Sequence, residues 1–127
     1  MRQVFKLQDY EISVDYGSHV IYRMKTRFYD LNPAELDFVF ENIFTDEKVA
    51  DFLINDVRIG EDVVVIDEDS GISFAVNIGI DCFYVKTLFN GFDGKLLIGD
   101  MQMVLRFAKS AGVRIEQFRR QRSGSYA

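Results

Sequence analysis

The residues best suited to chemistry are one histidine and two arginines set four apart. They are His19, Arg23 and Arg27 in the stretch GSHVIYRMKTR, residues 17–27, and His19 is the only histidine of the chain. Side chains four apart lie on one side of a helix. With Ser18 as N-cap and His19 opening the first turn, the stretch reads as a helix that lines up a titratable imidazole and two permanent cations along one edge. Val20, Ile21, Met24 and Phe28 form the neighbouring apolar stripe, suited to face a core. Guanidinium groups meet anions as bidentate forks, so this edge suits a phosphate or carboxylate. The competing reading is a solvated helix face on which the arginines pair with Glu11, Asp15 or Asp30, at a gain of about 0–1 kcal/mol each.

Other chemistries find less support. Asp67, Glu68 and Asp69 precede Ser70 and Gly71, but the downstream glutamate of a calcium loop is missing, so a solvated turn is expected there. Cys82 is the only cysteine and lies in an apolar run, which reads as a buried structural thiol in a reducing compartment. The sequence holds no Cys/His metal cluster, no glycine-rich phosphate loop and no Ser-His-Asp spacing. No metal and no cofactor are therefore expected.

The elements that must position His19, Arg23 and Arg27 can be read from period and punctuation. Residues 4–7 and 11–16 are short runs, and the second alternates polar with apolar as a half-buried strand does. After the first helix, Asn32, Pro33 and Glu35 form a capping-box-like start for a second, with Leu36, Val39, Phe40 and Ile43 on one face. Thr45 is read as the cap of a third helix bearing Val49, Phe52 and Leu53. Residues 63–66, 72–78 and 82–89 are three strands, the last an interior one. The turns Asn90-Gly91 and Asp93-Gly94 end this meander. Asp100 is read as the cap of a last helix with Met101, Val104, Leu105, Ala108 and Ala111 on one face, stopped by Gly112. The expected fold is a single α+β domain over residues 1–112, ordered β-α-α-(α)-β-β-β-α with an antiparallel sheet packed on helices, followed by a basic tail over 113–127.

Charge divides along the chain. The net charge is −5, yet residues 109–127 hold five basic side chains, including Arg119, Arg120 and Arg122, against one acid. Residues 31–108 hold fifteen acids against five bases. The basic stretch suits an anion or an acidic partner. The acidic body argues against broad nucleic-acid binding, because phosphates are held mainly by cations. No apolar stretch is long enough for a signal peptide or membrane span, so a soluble cytoplasmic protein with no membrane partner is expected.

The segments SHVIYRMKTRFYDLNPAELDFVFENI and VVVIDEDSGISFAVNIGIDCFYVKTLFN, with their order of elements, resemble the RelE/ParE toxin superfamily and its RegB/BrnT-like small endoribonuclease relatives. The likeness covers roughly residues 11–110. It implies a RelE-like fold, RNA or the ribosome as partner, and RNA cleavage without metal. By that resemblance His19 is the base or the phosphate-orienting group, Arg23 and Arg27 clamp the anion, and Lys86 approaches from the strand side. Lys86-Thr87 matches the polar pair that ends a strand in these families. Tyr84 shares parity with Lys86 and is a candidate for stacking or proton transfer. With one histidine, the general acid must be Lys86, Tyr84 or an arginine of the basic tail. A second function class stays beside this one: a non-catalytic protein-binding module of the same fold, such as a phage-encoded or toxin-derived inhibitor of a host protein, or a chain bound by an antitoxin.

Overall fold

A computed structural model describes residues 2–7, 11–27, 31–89 and 101–119. In chain order the described elements are β1 (Arg2–Lys6), β2 (Glu11–Tyr16), α1 (Ser18–Arg27), α2 (Pro33–Phe44), α3 (Glu47–Asn55), β3 (Asp62–Asp67), β4 (Ser73–Ile78), β5 (Phe83–Phe89), β6 (Met101–Ala108) and β7 (Gly112–Arg119). This is a mixed α+β domain. Its strands form one sheet in the order β1-β2-β5-β4-β3-β6-β7.

The helices start where their sequences direct. Asn32 caps α2: its Oδ1 accepts from the Glu35 amide at 2.8 Å, and its Nδ2 donates back to Glu35 Oε1 at 2.7 Å. α1 begins at Ser18 itself, one residue earlier than expected. The cap of α3 is Asp46 rather than Thr45. Asp46 Oδ1 accepts from the Lys48 and Val49 amides at 3.0 and 3.1 Å. Thr45 closes α2 instead, donating its hydroxyl to Glu41 O at 2.5 Å. A carboxylate at the N-terminus adds charge to the hydrogen bond, which favours Asp46 over its neighbour.

All three helices contribute to one core on one face of the sheet. Val20 and Met24 of α1, Leu36, Phe40, Ile43 and Phe44 of α2, and Val49, Ala50 and Leu53 of α3 are buried there. They meet the inward positions of the strands, including Val14, Val63, Val65, Phe74, Val76 and Val85. Rings bridge the layers: Tyr16 lies 5.4 Å from Phe40, Phe40 lies 5.1 Å from Phe74, and Phe44 lies 5.7 Å from Phe83. Tilted and edge-on pairs of this kind add about 0.5–1.5 kcal/mol each beyond their burial. Val64, Ile66 and Val104 form a smaller cluster by themselves, against Phe89. They alternate with inward residues, so this cluster lies on the opposite face of the sheet.

Two expectations about the sheet are corrected. The sheet is not purely antiparallel, because β2 pairs with β5 and β3 with β6 in parallel. The expected last helix is strand β6, paired with both β3 and β7. Met103, Leu105 and Phe107 alternate into the main core, and Gly112, with φ of +74°, turns the hairpin into β7. The helical reading failed because Met101, Val104, Leu105 and Ala108 satisfy the i, i+3, i+4, i+7 spacing while Met101, Met103, Leu105 and Phe107 satisfy period two. A positive-φ glycine serves a helix stop and a tight turn alike. Residues 112–119, placed mostly in the basic tail by sequence, therefore continue the sheet as β7. The expectations on Phe28, Asp30, Asn90-Gly91, Asp93-Gly94, the Asp100 cap, Arg120 and Arg122 lie outside the described residues.

Strand directions divide the sheet into two ends. β2, β3, β5 and β6 run one way, and β1, β4 and β7 the other. One end carries the start of β2, the β4–β5 turn and the close of β7. The other carries α1, the β3–β4 turn and the β6–β7 turn.

Candidate functional site

At the end where α1 begins, the structure brings His19, Arg23 and Thr87 together. Gly17 links β2 to α1, and the Val20 amide bonds to Gly17 O at 3.2 Å. The helix then runs beside β5. Arg23, one turn on, donates from Nε to His19 Nε2 at 3.4 Å. Thr87 Oγ1 lies 3.3 Å from the same nitrogen, although it is 68 positions away in sequence. Both contacts are at the long end of the hydrogen-bond range. Whether the Thr87 hydroxyl donates to this nitrogen or accepts from it depends on the imidazole tautomer. The arrangement holds one imidazole, one guanidinium and one hydroxyl at an exposed surface, which can meet an anion or a polar backbone.

Lys86 is not part of this group. A β-bulge between Ala75 and Val76 inserts one extra residue in β5, so that Ala75 pairs with Thr87 while Val76 pairs with Val85. Thr87 meets His19, whereas Lys86 Nζ reaches Asp62 Oδ2 at 3.0 Å. Asp62 also accepts from Asn77 Nδ2 at 2.9 Å, and Asn77 reaches Gly60 O at 3.0 Å. Lys86 is thus part of a polar row across β3, β4 and β5. Tyr84 is exposed on the same row, in register with Asn77. Its hydroxyl lies over the strand-to-helix junction, 3.0 Å from where a Cβ on Gly17 would stand. Arg27 is the last residue of α1 and Arg119 the last of β7, but their side chains lie outside the described residues.

The acidic turn has structural work. Ser70 Oγ donates to Asp67 Oδ2 at 2.6 Å, Asp69 Oδ2 accepts from the Lys109 amide at 3.0 Å, and Glu68 pairs with Arg114. The last two contacts tie the β3–β4 turn to the β6–β7 hairpin. Among the described residues no group of three His, Cys, Asp or Glu could hold a metal ion. Also among them, no helix is long and apolar enough to cross a membrane.

The opposite end of the sheet holds a feature that motif reading missed. A cleft of about 530 Å³ opens between the end of α3, the start of β2 and the β4–β5 turn. Ile54, Ile59 and Ile80 line it, and they are 45, 66 and 85 % exposed. Glu11, Asp51 and Asp81 also line it, with no lysine or arginine among the described lining residues. Arg58, next to Ile59, is turned toward Glu61 at 3.9 Å. Ser13 is in the same lining and has a buried hydroxyl with no hydrogen-bond partner among the described residues. Single surface isoleucines are ordinary, but here three stand around one concavity with an acidic rim. The sequence signal was weak: GID, residues 79–81, reads as a short connection, and nothing local says that Ile80 faces water.

Comparison with known proteins found no matching family model, no matching curated protein and no matching solved structure.

Proposed function

We propose that this chain is a non-catalytic protein-binding module that engages its partner through the cleft at the β4–β5 turn. The observation that carries the reading is the exposed trio Ile54, Ile59 and Ile80 over that cleft. Apolar side chains that fold against nothing gain free energy only when a partner covers them. The acidic rim selects the partner's charge and speeds encounter. An inhibitor of a host protein, working in the reducing cytoplasm with its lone thiol free, fits this surface. The test is affinity capture by the wild-type chain and by Ile80→Asp, followed by calorimetric titration of the identified partner. At least a tenfold loss of affinity is expected for Ile80→Asp, about 1.4 kcal/mol, with His19→Ala unchanged. A partner that binds both equally would overturn the reading.

A second reading has its own support. His19 and Thr87 meet across 68 positions, with Arg23 beside them, at the residues that the RelE/RegB/BrnT resemblance assigns to RNA. The run β2-α1-α2-α3-β3-β4-β5 also follows the expected order as far as β5, beyond which strand β6 stands where a helix was expected. A metal-independent endoribonuclease would use His19 as base, Arg23 and Arg27 on the phosphate, and Tyr84 or Thr87 beside them. Against it stand Lys86, held by Asp62, and the acidic body. Cleavage of free or ribosome-bound RNA in chelator, leaving a cyclic phosphate and lost in His19→Ala, is the expected result. RNA left intact across the pH range removes this reading.

A further inference from the structure

We propose that the outer edge of β7 is a self-association surface, where a second copy of this chain adds its own β7 antiparallel across a twofold axis. Among the described residues β7 closes the sheet and pairs with β6 alone. It runs eight residues, Gly112–Arg119, in unbroken register against β6. A strand at the end of a sheet turns the N–H and C=O groups of alternate residues outward, as a template for another strand. Neither a proline nor a bulge interrupts the template here.

The order of side chains selects the partner. Residues directly opposite in an antiparallel pair point to the same face of the sheet. A twofold pairing of β7 with its copy therefore sets one residue opposite itself. Arg114 in that position brings cation against cation, and Glu116 brings carboxylate against carboxylate. With Ile115 in that position, Arg114 of each copy stands across from Glu116 of the other. The two charges share a face, since β6 sets Arg106 beside Arg114 and Val104 beside Glu116. Opposite side chains have Cβ atoms about 4.5–5.5 Å apart, within reach of an ion pair. Ile115 itself is 38 % exposed and would pack on its twin at the axis.

Both charged groups have capacity for a second partner. Arg114 pairs with Glu68 and Glu116 with Arg106 inside one copy, yet their side chains remain 45 and 40 % exposed. A guanidinium carries five donors and a carboxylate two acceptor oxygens. Pairing across the axis joins two separate ion pairs into one alternating row, with Glu68 and Arg114 of one copy meeting Glu116 and Arg106 of the other. The opposite edge of the sheet is unlike this one. β1 spans only Arg2–Lys6, and a twofold register about Val4 sets Arg2 opposite Lys6. Like charges guard that edge against its own copy.

Sedimentation of the full chain over a concentration series tests the inference. The wild type is expected to pass from monomer to dimer. Ile115→Lys places two ammonium groups at the axis. Arg114→Glu and Glu116→Arg each set like charges opposite one another in two symmetry-related pairs. Each substitution should weaken self-association at least about tenfold. An equal mixture of Arg114→Glu and Glu116→Arg should recover the dimer, because each variant then meets the opposite charge across the axis. Circular dichroism of the separate variants checks that both are folded before mixing. A wild type that stays monomeric up to about 1 mM overturns the inference. So does a dimer that Ile115→Lys leaves intact, or a mixture of folded variants that associates no better than either alone. A mass that grows beyond the dimer also overturns it, because β7 would then be pairing with a different edge and not with itself.

Discussion

The Tyr16 hydroxyl donates to Asp37 Oδ1 at 2.5 Å, from a side chain only 1 % exposed. This bond joins the last residue of β2 to α2 across the core. It stands where Gly17 turns the chain into α1, so it fixes the entry of the helix that carries His19.

Replacing Tyr16 with Phe keeps the ring against Phe40 and removes the bond to Asp37. A loss of about 1.5 kcal/mol is expected for a bond to a charged acceptor. It should be read as a drop of roughly 4–6 °C in thermal midpoint. The pH response has a definite sign. Burial first, then the hydrogen bond to Asp37 and its negative charge, push the Tyr16 hydroxyl well above its usual 10.0. A group raised in the folded state contributes fully below its unfolded value and loses that contribution as pH rises. Wild-type stability should therefore fall above pH 10.0 more steeply than that of Tyr16→Phe. Denaturant titrations at a series of alkaline pH values check this, and parallel curves would refute it.

Gly112 has φ of +74°, and a Cβ placed there would meet nothing within 4 Å. The cost of Gly112→Ala is then backbone strain alone, about 1–2 kcal/mol. Gly112→Asn should cost less, because asparagine tolerates the left-handed region. Chemical denaturation of the two variants tests the hairpin directly.

Lys86 and Asp62 form an ion pair whose side chains are 44 and 17 % exposed. Exposure on the lysine side limits the pair to about 0–1 kcal/mol in a double-mutant cycle. Asp62→Ala should cost more than Lys86→Ala, because Asp62 also serves Asn77. Equal single-mutant costs would show that Asn77 draws nothing from Asp62.

His19 is exposed, and its contacts to Arg23 and Thr87 are long. His19→Ala is expected to change stability by no more than about 0.5 kcal/mol. Any loss of RNA cleavage in that variant would then be chemical rather than structural. A large drop in melting temperature would mean that the imidazole holds α1 to β5.

Some of this molecule could be read directly from its residues. Asn32, Pro33 and Glu35 specify the start of α2, since a capping box closes within four residues. Glu11 to Tyr16 alternates, and 63–66 is β-branched, so β2 and β3 carried their own signals. The group at His19 was legible in part, because Arg23 is one helical turn away, whereas the approach of Thr87 from 68 positions off depends on how β5 meets α1.

Period, capping and turn chemistry act over a few residues, so the sequence alone determined helices α1 to α3, the strands of the meander and the one-sided apolar faces that make an α+β core. The rest depended on contacts between segments distant in the chain. Residues 101–108 satisfy two periods, and pairing with β3 chose the strand. Lys86 and Thr87 are neighbours, and a bulge set by the register against β4 gave one to Asp62 and the other to His19. Ile54, Ile59 and Ile80 look like core residues until three elements meet and leave them facing a cleft, because exposure is a property of the assembled surface and not of any one stretch of chain.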